Sequence, residues 1–102
     1  MTHAELLAEV LQLAAARGVP YIVAHGARST PGATDLVLVG QTNWVAFVEL
    51  KNVDGRRSRA QIAFADRIDN QPFARYFLWR PADLESGKID TELVYLSRGY
   101  DS

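Results

Sequence analysis

The feature that most constrains this chain is a pair of apolar runs separated by three polar residues. Asp35 to Gly40 and Trp44 to Lys51 are both rich in β-branched residues, and Gln41-Thr42-Asn43 lies between them. Two such runs around so short a polar break read as strands joined by a tight hairpin turn. A loop centred on Thr42 pairs residues whose numbers sum to 84, so Asp35 faces Glu49. Cross-strand neighbours stand only ~4.5 to 5.5 Å apart at Cβ, and like charges opposed at that distance destabilise the pair. Two acids kept there need a reason, and the simplest is a divalent cation that bridges them. Oxygen ligands favour Mg²⁺ or Mn²⁺ over softer metals.

Residues two apart on a strand share a face, so Glu49 and Lys51 both lie beside Asp35, while Trp44, Ala46, Val48 and Leu50 face the other way. Two carboxylates and an ammonium then converge at a strand end. Phosphodiester hydrolysis calls for such a set: a metal to activate water and polarise a phosphoryl oxygen, and a cation to offset growing negative charge. The plainer alternative is a salt bridge between Lys51 and one acid. Glu-x-Lys after an apolar strand is common by chance, and it is Asp35, preceded by Gly32, that points beyond it.

The other elements follow from periodicity and punctuation. Leu6, Leu7, Val10, Leu11, Leu13 and Ala14 predict an amphipathic helix from His3 to Arg17, ended by Gly18 and Pro20. Pro20 to His25 reads as a short strand, Gly26 to Gly32 as a loop, and Asp54-Gly55 as a turn. Ser58 opens a second helix carrying Ile62, Ala65 and Ile68, which Pro72 stops beyond Asn70. Arg75 to Arg80 is a further strand, Pro81 to Glu85 a helical turn, and Glu92 to Ser97 a last strand. A helix between the third and fourth strands requires a crossover, so part of the sheet is expected to be parallel and the class α/β or α+β.

At 102 residues, 48% hydrophobic and 23% charged, the chain fits one globular domain over residues 1–102 with a single core. A domain of this size removes only about 60 to 70% of its unfolded surface from water, so a partner subunit would help, and an oligomer is expected. The net charge of −1 does not advertise a nucleic-acid binder, yet Lys51, Arg56, Arg57 and Arg59 fall within nine residues. These charges are either a phosphate-facing cluster or an ordinary solvated surface. The absence of cysteine excludes disulfides, thiolate zinc sites and a cysteine nucleophile. No apolar run approaches the ~20 residues that span a bilayer, so no membrane partner is expected. The expected location is cytoplasmic, or at least intracellular if the chain is phage-encoded.

Gly32-Ala33-Thr34-Asp35, then Val48-Glu49-Leu50-Lys51, then a helix beginning Ser58-Arg59-Ala60-Gln61, resembles the PD-(D/E)XK nuclease superfamily, most closely its VRR-NUC branch. The resemblance runs from about Glu5 to Leu84. It implies a restriction-endonuclease-like αβββαβ core, a mixed sheet flanked by helices. It also implies Mg²⁺-dependent endonucleolytic cleavage of DNA, often branched or flapped, with 5′-phosphate and 3′-hydroxyl products. Stand-alone members resemble dimeric Holliday-junction resolvases, which implies a homodimer. Residue by residue, Asp35 and Glu49 match the metal-binding acids, and the Leu50 carbonyl would complete the shell. Lys51 matches the lysine that positions the attacking water, and Gln61 the glutamine of the following helix. The family's first helix contributes an acid, for which Glu5 is the choice and Glu9 the reserve. Thr34 stands where the family usually carries proline.

Several residues keep two readings. Ser58-x-x-Gln61 is also a capping box, which would occupy the glutamine without any catalytic role. Arg56, Arg57 and Arg59 would meet phosphates ahead of that helix or stay in a solvated loop, and Arg28 would clamp a phosphate from the loop before Asp35. His3 and His25 have no second histidine at ligand spacing and read as ordinary, with His25 a lesser candidate for a substrate contact. Trp44, Phe47, Phe64, Phe73, Tyr76, Phe77 and Trp79 are expected mainly in core packing. Two rivals to a nuclease remain: a catalytically inactive nucleic-acid-binding or accessory module of the same fold, and a small α/β scaffold domain.

Overall fold

A computed structural model of the chain describes residues 1–24, 32–41 and 44–99. The first helix, α1 (His3–Ala16), buries Leu6, Val10 and Ala14 on one stripe. Thr2 caps it, its hydroxyl accepting from the Glu5 N–H at 3.1 Å while the Glu5 carboxylate accepts from the Thr2 N–H at 2.9 Å. Strands β1 (Tyr21–Ala24), β2 (Leu36–Val39) and β3 (Val45–Leu50) follow, then the crossover helix α2 (Arg59–Asp69) and strand β4 (Ala74–Trp79). The sheet order is β1-β2-β3-β4. β1 with β2 and β2 with β3 are antiparallel, and β3 with β4 is parallel, as a helical crossover demands. The class is mixed, α+β.

The end of the chain departs from the sequence reading. Glu92 to Ser97 is not a strand but lies within the helix α4 (Lys88–Arg98), which follows the short helix α3 (Pro81–Glu85). Its buried residues Ile89, Leu93 and Leu96 are spaced by four and three, a helical period that begins upstream of the β-branched-looking segment. Asp90 in the first turn and Arg98 in the last suit the helix dipole. A strand over Glu92 to Ser97 would have put Leu93 and Tyr95 on one face. In the helix Leu93 is fully buried and Tyr95 is half exposed.

Both α1 and α4 pack on the sheet face formed by Leu36, Leu38, Ala46, Val48, Leu50 and Trp79, and these residues form one core cluster with the two helices' buried stripes. Each fully buried leucine there contributes about 1.5 to 3 kcal/mol by leaving water. Arg17 at the end of α1 joins Asp90 at the start of α4 through a two-pronged ion pair, 2.5 and 2.8 Å. The opposite face belongs to α2: Phe64 meets Phe47 edge-on with ring centroids 5.6 Å apart, and Ala65 and Ile68 are buried.

Most of the aromatic residues pack as expected. Trp79 is buried and stacks with Phe77 at 5.1 Å, and Trp44 meets Phe73 at 6.0 Å, although Phe73 itself is half exposed. Among the described residues no helix is long and apolar enough to cross a membrane.

Candidate active site

The β2–β3 register pairs Leu36 with Val48, Val37 with Phe47, Leu38 with Ala46 and Val39 with Val45, each pair summing to 84. Thr42 and Asn43 of the turn lie outside the described residues. Continued by one residue, the register sets Asp35 opposite Glu49, as the hairpin spacing requires. Alternation along β3 sends Ala46, Val48 and Leu50 into the core. Glu49 and Lys51 go with Phe47 to the α2 face.

Asp35 sits just before β2. Its Oδ2 accepts from the Leu50 N–H at 2.8 Å, and His3 Nε2 approaches its Oδ1 at 3.5 Å. The preceding Thr34 is buried, and its hydroxyl donates to the Leu36 carbonyl at 3.0 Å. This side-chain bond spans the bend at Asp35. Gly32 has φ of 87° and lies so close to the Ala60 backbone that a Cβ there would overlap the Ala60 carbonyl. The approach to Asp35 is therefore seated on the first turn of α2.

Glu49 is only 3% exposed. Its Oε2 is buried with no hydrogen-bond partner, a rare arrangement for a carboxylate oxygen. Burial first, then the neighbouring Asp35 charge, pushes the Glu49 carboxyl up to about 7, with Lys51 opposing the rise. The Lys51 ammonium is 3.8 Å from Glu49 Oε1. Its aliphatic stem packs against the turn at Gly55, where a Cβ would come within 3.3 Å of the Lys51 Cβ.

Gln61 forms the capping box and also reaches the buried acid. Its Oε1 accepts from the Ser58 N–H at 2.7 Å while the Ser58 hydroxyl accepts from the Gln61 N–H at 3.1 Å, completing the cap of α2. Its Nε2 donates to Glu49 Oε1. One amide thus ties the start of α2 to the buried acid.

Glu5 does not join this group. Its carboxylate is held in the α1 cap, where the Thr2 backbone N–H and hydroxyl keep it below the usual carboxylate range. Glu9 lines a groove with Gln12, Leu13, Ala16 and Leu84. Among the described residues no three His, Asp or Glu side chains are arranged to hold an ion between them. The side chain that α1 brings to Asp35 is His3. It continues the buried stripe of Leu6, Val10 and Ala14 one step back, a sign that was available in the sequence.

Leu50 contributes its N–H to Asp35 and buries its side chain in the core. Arg56 and Arg59 are exposed, and Arg57 is half-buried with its guanidinium carbon 5.7 Å from the centre of the Tyr76 ring. Parallel pairing puts Tyr76 beside Phe47 and Leu78 beside Glu49, so Tyr76 shares the face of the acids. Burial raises the Tyr76 phenol, and nearby Arg57 counters part of that rise. Arg80 anchors the segment that carries these arginines, donating to the Asn52 carbonyl at 2.6 Å. Arg28 and His25 lie outside the described residues.

Comparison with known proteins finds no family model, no curated protein and no solved structure that matches this chain.

Proposed function

We propose that this chain is a Mg²⁺- or Mn²⁺-dependent DNA endonuclease of the PD-(D/E)XK type, VRR-NUC-like, acting on branched or flapped DNA, as a homodimer. The observation that carries the reading is Glu49: an acid 3% exposed, opposite a second acid, with one oxygen unpartnered. An ionised carboxylate in that position is unfavourable unless something positive meets it. Lys51 stands 3.8 Å from Oε1, and Oε2, with no hydrogen-bond partner, is left for a cation.

Asp35, Glu49 and the Leu50 carbonyl would hold the ion. Mg²⁺ commonly takes only one or two protein carboxylates and fills its shell with water and substrate phosphate, so two acids without Glu5 suffice. Bound there, the ion supplies Lewis acidity toward a phosphoryl oxygen and makes a nucleophile of water at neutral pH. Lys51 places a positive charge beside the attacking water and the developing phosphorane. Gln61 fixes the Glu49 carboxylate so that Oε2 stays free, and Arg56, Arg57 and Arg59 would contact phosphates away from the scissile one. The 3′ oxygen leaves, giving 5′-phosphate and 3′-hydroxyl ends.

The test is incubation of the purified chain with a four-way junction, a flap and plain duplex, each with Mg²⁺ and with chelator. Metal-dependent cutting that Glu49→Ala and Lys51→Ala both abolish supports the proposal, and cutting by both variants at the parental rate defeats it. The engagement of Glu5 in its cap favours one other reading, an inactive DNA-binding module of this fold. That reading predicts junction binding with no cleavage in either metal.

A further inference from the structure

Asp35 precedes the first paired residue of β2, so the strand ladder does not fix its carboxylate. Two contacts do. The Leu50 N–H holds Oδ2 at 2.8 Å, and His3 Nε2 stands 3.5 Å from Oδ1. Glu49 is held differently, through Gln61 from α2. The two acids are thus oriented by two different helices, each at its capped N-terminal turn.

His3 is well placed for this. It is the first residue of α1, directly after the Thr2 cap, so its backbone is fixed by the reciprocal Thr2–Glu5 bonds. Three residues on, Leu6 is fully buried, and Val10 and Ala14 continue the same stripe. Docking of α1 on the sheet therefore determines where the imidazole stands. Its side chain remains about half exposed, so packing alone does not account for its position over Asp35.

We infer that His3 is a positioning residue that acts through Asp35, its Nε2–H steadying Oδ1 so that the Asp35 carboxylate is presented to a divalent cation shared with Glu49. The inference rests on the metal site proposed above. It also assigns the site's link to α1 to an imidazole in contact with a ligand, where an acid of that helix would have been a ligand itself. Partners that orient a metal-bound side chain in this way typically contribute about 10- to 100-fold to metal affinity.

The experiment is titration of the chain with Mn²⁺ at pH 8, with free Mn²⁺ read by electron paramagnetic resonance. The parent, His3→Phe, His3→Ala, His3→Gln and Asp35→Asn are compared, and thermal midpoints are taken without metal. His3→Phe and His3→Ala are expected to weaken Mn²⁺ binding by roughly tenfold or more at an unchanged midpoint. His3→Gln, which keeps an N–H donor, is expected to recover most of the loss. Parental affinity in both His3→Phe and His3→Ala, or equal losses in all three His3 variants, overturns the inference while leaving the metal site standing. Absence of binding by the parent, or full binding by Asp35→Asn, overturns the metal site and the inference with it.

Discussion

Leu36 stands opposite Val48, and that single pairing fixes the chemistry of the strand ends, because the next step along the ladder brings Asp35 to Glu49. The two acids are held by opposite means. Asp35 is partly exposed, bonded to backbone and approached by an imidazole at 3.5 Å, while Glu49 is buried with an oxygen unpartnered. The consequences are open to measurement.

The raised Glu49 carboxyl makes stability depend on pH. Its folded value of about 7 lies above its ordinary 4.5, so the folded chain binds the proton more tightly than the unfolded chain. Stability from this group is complete below pH 4.5 and is lost as pH rises through 7. Glu49→Gln removes that slope. In urea unfolding with chelator present, the variant is expected to gain on the parent between pH 5 and 8, by on the order of 2 kcal/mol after allowance for solvent near the site.

Gln61 allows its two roles to be separated. Gln61→Glu can still accept from the Ser58 N–H, but it sets a third carboxylate against Glu49. It is expected to be tolerated at pH 5 and destabilising at pH 8. Gln61→Ala loses the cap's return bond at both, about 1 kcal/mol, together with the donation to Glu49, and adds no charge. Thermal melts of the two variants at the two pH values give the comparison, and identical pH responses would remove the Gln61–Glu49 bond from the account.

Gly32 has no room for a side chain. Alanine there takes a φ of 87° and runs its Cβ into the Ala60 carbonyl. Gly32→Ala is expected to destabilise the chain by at least ~1 to 3 kcal/mol from backbone strain alone, and more from the overlap. Urea midpoints measure this. Because the shift moves the segment leading to Asp35, the proposed metal binding is expected to fall further than stability does.

The C-terminal helix has its own test. Leu93→Ala is expected to lose about 2 to 5 kcal/mol from the core, and Tyr95→Ala much less, since Tyr95 is half exposed. Comparable losses from both would suit a strand with the two on one face and would contradict α4.

What was legible in the sequence had short-range causes. The hairpin spacing, the Ser58–Gln61 cap and the crossover between β3 and β4 follow from residue spacing, and the elements lie where they were read, to within a residue or two. The misreading at Glu92 to Ser97 arose because Leu93-Val94-Tyr95-Leu96 is apolar throughout. Only Ile89, outside that window, shows the helical period. At the site, Asp35, Glu49, Lys51 and Gln61 were visible as residues. The second bond of Gln61 and the seating of Gly32 on Ala60 were not, and for His3 the stripe period showed the helix face but not the contact with Asp35. Each depends on how a helix docks on the sheet, a long-range outcome that local spacing does not encode.

The central claim is that Asp35 and Glu49 together hold a divalent cation. The measurement that tests it most directly is an anomalous difference map from crystals grown or soaked in Mn²⁺. A peak in contact with both carboxylates and the Leu50 carbonyl, lost in Glu49→Gln, is the predicted result. Bound Mn²⁺ elsewhere on the chain with Glu49 Oε2 still unpartnered, or no bound Mn²⁺ in a chain that cuts DNA, would contradict it.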